Sequence, residues 1–240
     1  MIAHYVVTRI NINYQTNPTV KNFNTWFDAR FKLLENICAP SIASQTKKNF
    51  TWLMLVAPKT SPAHLKKLQE LEAKIPNAKI ITKKYSSYIK ENLTDEKYVI
   101  TSRIDSDDAL RSTYIEDVQN TFMKYKDKTK LPFIINYSVG AYYYPKLNRA
   151  FKGSKKWVNQ FVSFIEPVSE NLKTVHCQEH GKLDAFYSMI WLPTKEPMWV
   201  WVIHDMQISP DWPLDKSLGM LRFPEEIKDF NINNFVKGIY

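Results

Sequence analysis

Two periodicities alternate along the first half of the chain, and that alternation leaves few folds open. Residues 4–10 and 51–57 are short apolar runs rich in β-branched and aromatic side chains, the pattern of strands buried on both faces. Between them Phe27, Phe31, Leu34 and Cys38 recur at helical spacing, with Pro40 expected to end the helix. A second helix is expected from about residue 62 to residue 74, stopped before Pro76. A strand over 78–82 and a short helix near 88–93 then lead to a strand beginning at Tyr98. This βαβαβαβ order predicts a mostly parallel sheet with right-handed crossovers. The second half changes character: residues 133–144, 157–168 and 199–204 read as aromatic-rich strands with longer loops, and 161–166 alternates as a hairpin or sheet edge would.

The strand from Tyr98 runs directly into Asp105, Asp107 and Asp108, and the segment from Ser112 to Tyr125 reads as a helix with Ile115, Val118, Phe122 and Tyr125 on one face. The acids therefore sit on a strand-to-helix turn, at the carboxyl edge of an open α/β sheet where ligands bind. Aspartates two residues apart offer oxygen to a hard divalent ion such as Mg²⁺ or Mn²⁺, which keeps positions open for water and phosphates. As a surface acid at a strand end, Asp107 is expected to tolerate replacement by alanine without loss of the fold. Plainer readings compete. Asp105 to Glu116 has acids at positions 1, 3 and 12 of a calcium-hand loop, but Ala109 and Leu110 stand where a ligand and a glycine are needed. Asp108 fits a helix N-cap.

At 240 residues, with 44% hydrophobic and 14% aromatic content, the chain can fill one large α/β core, and no linker or repeat divides it. We expect one domain over 1–240, a nucleotide-binding half to about 110 and an acceptor-side half from about 111. The start lacks the pattern of a secretory signal, and no apolar run approaches a membrane span, which points to a cytoplasmic protein. Cys38 and Cys177 are too few for a disulfide framework. The formal charge of +9 is mostly dispersed lysine. Such a field attracts anionic ligands and is compatible with a peripheral contact at the inner face of a membrane. Few arginines, no basic arm and no recognition motif argue against nucleic acid.

Two rival chemistries have a sequence basis. His176, Glu179 and His180 fit the H-x-x-E-H pattern of a zinc-dependent hydrolase, although Thr174 and Val175 before it and Gly181 after it are poor helix context. Seven tryptophans and 13 tyrosines would suit a non-catalytic carbohydrate-binding module, but core packing is the commoner use of aromatics and leaves the acidic strand end unexplained.

Three segments together resemble the glycosyltransferases of the GT-A fold, most closely the putative rhamnosyltransferase family: Trp26 to Trp52 with Ser41-Ile-Ala-Ser-Gln-Thr46, the DxD-like Arg103-Ile-Asp-Ser-Asp-Asp108, and Trp199-Val-Trp-Val-Ile-His204. The stretch Ser163-Phe-Ile-Glu166 adds to them. The resemblance implies an α/β, GT-A-like nucleotide-diphospho-sugar transferase fold, with a mostly parallel central sheet, helices on both faces and a smaller mixed acceptor-side sheet. It implies a donor sugar linked to dTDP, UDP or GDP, a glycan or other hydroxyl acceptor, and Mn²⁺ or Mg²⁺ bridging the diphosphate. On that pattern Asp105 faces the ribose and Asp107 binds the ion. Asp105 itself, and His204 near the end of the domain, are further metal ligands, while Thr8, Arg9, Arg103 and Asp108 contact the donor. An inverting transfer also needs a general base. Asp184, Glu179, His180 and Glu166 are available, with Asp184 favoured and His180 second. The chain departs from the family where Val56-Ala-Pro-Lys59 replaces an acidic pair after the second strand, and where Asp205-Met-Gln follows His204.

Overall fold

The computed structural model describes residues 1–12, 20–154, 158–204 and 225–236. The first half follows the alternation. Strand β1 (Ile2–Arg9) leads to helix α1 (Phe23–Leu33), a short helix α2 (Ala39–Ala43) and β2 (Thr51–Leu55). Then come α3 (Pro62–Lys74), β3 (Ala78–Ile81), α4 (Tyr85–Glu91) and β4 (Tyr98–Arg103). β1 pairs in parallel with β2 and β4, and β2 in parallel with β3. Burial alternates with the pleat. On one face Val6, Trp52, Met54 and Ile100 pack with Phe27, Leu34, Leu68 and Leu71 of the helices. On the other, Tyr5, Val7, Leu53 and Val99 pack with Ile89 of α4.

Pro40 does not end the first helix. α1 passes into a π-turn over Leu34–Cys38, and Pro40 then lies in the first turn of α2. A proline ring collides with the carbonyl four residues back in a regular helix. The wider π-turn, closed by the Ala39 amide donating to the Leu34 carbonyl, lets the helical path continue.

Beyond β4 come the two-residue strand β5 (Ala109–Leu110), helix α5 (Tyr114–Tyr125), β6 (Phe133–Tyr137), β7 (Val139–Tyr144), β8 (Arg149–Ser154), β9 (Ser163–Pro167), β10 (Ser188–Leu192) and β11 (Trp199–Val202). The main sheet runs β10-β6-β9-β4-β1-β2-β3, and the second runs β5-β11-β7-β8. Within the main sheet only β9 is antiparallel to its neighbours, and the second sheet is mixed. This is the α/β, GT-A-like layout that the resemblance implies. The single run expected over 133–144 is two strands that part at Ser138 into different sheets. Residues 163–166 form no edge: β9 lies between β4 and β6, and Ser163, Phe164, Ile165 and Glu166 are all buried. Trp157, counted in an expected strand, and the Asp205-Met-Gln stretch after His204 lie outside the described residues. Strands β8 and β10 carry no clear two-residue alternation and escaped the sequence reading.

Trp199 locks the two sheets together. Its ring stacks on Phe161 at 4.8 Å, its Nε1 donates to the Tyr137 carbonyl at 2.9 Å, and a Cβ on Gly140 would fall 2.1 Å from it. Among the described residues no helix is long and apolar enough to cross a membrane.

His4, buried in β1, donates and accepts within the core, through Ser102 Oγ at 2.8 Å and Gln119 at 3.4 Å. Burial lowers its pKa to about 3. The unfolded chain therefore binds more protons than the folded one between about pH 3 and the ordinary histidine value of 6.5. Stability from this group is complete above that window and falls as pH drops through it. From pH 6.5 to 4.5 the expected loss is roughly 2 kcal/mol, because the slope climbs from half to the full 1.36 kcal/mol per unit across that window. Urea midpoints at pH 7 and pH 4.5 test this, and a His4→Gln variant with the same pH slope as the native chain would refute it.

Candidate active site

The acidic turn forms where three elements meet. The Ile104 amide donates to Val7 O at 3.2 Å, continuing the β4–β1 ladder, and the Asp108 amide turns back onto Asp105 O at 3.2 Å. Then β5 pairs antiparallel with β11, Leu110 opposite Trp199 and Ala109 opposite Val200. That short pairing brings residues 203–204 back over the acids. From the other side, Gln45 of the Ser41-Ile-Ala-Ser-Gln-Thr46 stretch grips the segment after the turn, donating to Arg111 O at 2.8 Å and accepting from the Ile115 amide at 3.0 Å.

Asp107 is the centre of the site. Arg30 of α1 forks onto both its oxygens and also donates to Ser106 Oγ at 2.9 Å, while His204 Nε2 stands 2.8 Å from Asp107 Oδ2. The Arg30 and Asp107 side chains are each only 8% exposed. Burial alone would raise the Asp107 carboxyl, but the Arg30 charge and the His204 bond outweigh it and hold the group below its usual range. The buried Cys38 thiol is pushed well up, first by burial and then by Asp108, Asp107 and Asp105, so it stays protonated and unreactive.

The three acids thus have three different fates. Asp105 is held on both oxygens by Arg103 Nη2, at 3.1 and 3.0 Å, and keeps 27% of its side chain in solvent. Asp107 meets Arg30 and His204. Asp108 neither caps α5 nor faces a donor: it is 2% exposed, and its Oδ1 accepts the Val202 amide at 3.0 Å, which fastens β11 in place. Burial, then the neighbouring Asp107 and Asp105, raise its carboxyl well above the usual range. α5 begins after Thr113 instead.

Other expected site residues divide in the same way. The Thr8 side chain is fully buried and accepts from Trp52 Nε1 at 2.9 Å, so it serves the core and not a donor. Arg9 projects from the opposite face of β1. Glu166 is no base, because its two oxygens hold the amides of Lys173 and Thr174 at 2.8 Å each. Glu179 is exposed and pairs with Lys182 at 2.7 Å. His180 Nδ1 faces Arg103 Nη1 at 2.8 Å and so joins the Asp105 cluster. Asp184 lies exposed on the 3-10 turn His180–Ala185.

The zinc-hydrolase reading fails on local structure. Residues 176–179 are turn rather than α-helix, so the two histidines do not share a helical face. His176 meets Tyr85, His180 meets Arg103, and Glu179 turns to Lys182. The binding-module reading loses its aromatics to the core: Trp26, Trp52 and Trp199 are all buried.

Among the described residues no three acids, histidines or cysteines converge as a ready metal cluster. Asp107 Oδ2 and His204 Nε2 do converge, one anionic oxygen beside one imidazole nitrogen. Mg²⁺ and Mn²⁺ are held by few protein ligands and completed by water and phosphate oxygens, so this pair fits such an ion. Asp105 stands apart from it, tied to Arg103.

Arg30 is the residue the sequence reading missed. Its signal is positional: with Trp26, Phe27 and Leu34 it lies on the buried stripe of the first helix, where an unpaired charge is untenable.

No curated protein sequence matches the chain. Crystal structures of S. aureus TarS resemble it weakly. One is 12% identical with a TM-score of 0.45 over 84% of this chain and 36% of that one. TarS 1-349 in complex with UDP is 13% identical, with a TM-score of 0.47 over 84% of this chain and 60% of that one. The chain thus spans 36% and 60% of these structures, less than two thirds of either, and at such TM-scores nothing rests on them. The family described as "Putative rhamnosyl transferase" matches residues 19–214, which takes in Arg30, the acidic turn, the His176–Asp184 segment and His204. On that match, the chain belongs to the putative rhamnosyl transferase family.

Proposed function

We propose that the chain transfers a hexose, rhamnose on the family description, from a nucleoside diphosphate to a hydroxyl of a glycan or similar acceptor. The observation that carries this is the convergence of Asp107, His204 and Arg30 at the carboxyl edge of a parallel sheet, in the member of a transferase family. In the reaction the bond from the anomeric carbon to the diphosphate oxygen breaks, its electron pair leaves with the nucleoside diphosphate, and the acceptor oxygen takes the carbon. Asp107 and His204 would hold Mn²⁺ or Mg²⁺, which when bound would supply Lewis-acid neutralisation of the leaving diphosphate.

The chain's own residues do the rest. Arg30 fixes the Asp107 carboxylate in one orientation, and Arg103 holds Asp105 by both oxygens. Positive charge from Arg103 and Arg9 lines the same edge and favours an anionic donor. His180 is a poor base, because its Nδ1 accepts from Arg103 and a neutral ring then carries its proton on Nε2. That leaves Asp184, four residues on and open to solvent, to take the acceptor's proton in an inverting transfer.

Thermal-shift titration with UDP, dTDP and GDP, with and without Mn²⁺, tests the reading. At a hundredfold excess over Kd a bound nucleotide adds about 2.7 kcal/mol of apparent stability. The expected result is metal-dependent stabilisation by at least one nucleotide, and product mass in a donor screen then identifies the sugar. No shift with any of them would remove the proposal.

A further inference from the structure

Three buried polar atoms near Asp105 have no hydrogen-bond partner among the described residues: Arg9 Nε, Arg103 Nε and His176 Nε2. They share one side of the main sheet. Val7 and Arg103 are paired across β1 and β4, and Arg9 lies two residues beyond Val7, so all three project from the same face. That face is the one covered by α4, where Tyr85 packs against the cluster containing Val7. His176 stands edge-on to Tyr85, with its Nδ1 at 3.0 Å from the phenol oxygen. Burial, then the charges of Arg103 and Arg9, hold the imidazole down to about 3, so it is neutral.

Proton counting fixes which neutral form it takes. Thr174 Oγ1 donates to Lys173 O at 2.5 Å, which uses the only proton of that hydroxyl. The 2.5 Å contact between Tyr85 and Thr174 then requires the Tyr85 proton. With its proton spent, the Tyr85 oxygen can only accept from His176, so the imidazole hydrogen sits on Nδ1. His176 Nε2 is therefore a buried acceptor, flanked on the same face by two arginine Nε–H donors. Glu166, clamped onto the Lys173 and Thr174 amides, holds the loop that makes this chain of bonds.

We propose that His176 is a specificity-determining residue for the donor base, reading the imide N–H of uracil or thymine while Arg9 and Arg103 donate to the flanking carbonyls. The inference rests on the nucleotide-sugar reading above and adds the base to it. Uracil and thymine present acceptor, donor, acceptor along that edge, the complement of donor, acceptor, donor. Guanine presents one acceptor and two donors, and cytosine one donor and two acceptors, so each leaves buried groups unmatched. A site built to hydrogen-bond a ligand group discriminates strongly against analogues that leave its own groups unpaired.

Calorimetric titration of the full chain with UDP, dTDP, GDP and CDP in Mn²⁺ tests it. UDP and dTDP should bind at least about tenfold more tightly than GDP or CDP. His176→Phe should weaken UDP and dTDP by a similar factor and leave GDP unchanged, and His176→Gln, whose amide oxygen can accept, should recover part of the preference. Arg9→Met, which removes one donor and none of the Tyr85 contacts, should narrow it too. If GDP or CDP binds as tightly as UDP, or if the His176 and Arg9 variants lose all four nucleotides equally or keep the native ranking, this inference falls while the transferase reading stands. If no nucleotide binds the native chain, both fall.

Discussion

Asp107→Ala will lose sugar transfer and much of its stability together. The alanine removes both carboxylate contacts from the buried Arg30 guanidinium, and breaking a buried ion pair by deleting one partner costs roughly 3–5 kcal/mol. In a chain of this length that is a fall in melting temperature of roughly 6–20 °C. The expectation that this acid is a dispensable surface group is overturned, since only 8% of its side chain is exposed. Asp107→Asn separates the two effects, because it keeps the shape and the Ser106–Arg30 bond while removing the charge. It should stay folded, lose the metal-dependent part of nucleotide binding, and drop turnover by at least about a hundredfold. Activity and metal response near native in Asp107→Asn would show that this carboxylate holds no ion.

Arg30→Leu should be nearly as damaging, for the opposite reason. Asp107 would keep its negative charge beside only His204, in a place where burial already penalises it. A loss of roughly 3–5 kcal/mol is expected. The double change Arg30→Leu with Asp107→Leu removes both charges, so it should be more stable than the sum of the singles implies, with a coupling of roughly 1–3 kcal/mol in urea midpoints. Strict additivity would mean that the two side chains do not meet in solution. None of the three variants should transfer sugar, which distinguishes a site residue from a mere support.

The parallel half of the fold was legible because buried strands and amphipathic helices write different periods into the sequence. α3 from Pro62 to Lys74 stands where its N-terminal proline and following Pro76 put it. The central position of β9 was not legible. Residues 161–166 read as an alternating hairpin or edge, but Ser163 and Glu166 are buried polar groups satisfied by Ser102 and by two loop amides, so polarity there does not mean exposure. The acidic turn was visible as a cluster and opaque in detail. Asp105, Asp107 and Asp108 are chemically alike, and only the partners brought by α1, β4 and β11 assign them separate tasks. Those partners are 77 and 97 residues from Asp107 along the chain, for Arg30 and His204, and no local pattern encodes such distances.

The π-turn between α1 and α2 acts as a spacer. Arg30 lies before it and grips the Asp107 carboxylate, while Ser41 and Gln45 lie after it and grip the chain beyond that carboxylate. Each helical residue turns the axis by about 100°. A π-turn spends about one residue more than an α-turn on the same rotation, so losing one position from the 34–38 stretch would restore an ordinary helix and leave the two grips on the same bearing. Such a deletion would put Pro40 in the interior of a continuous α-helix, against the carbonyl four residues back, so the extra residue is what lets one helical path carry both grips past the proline.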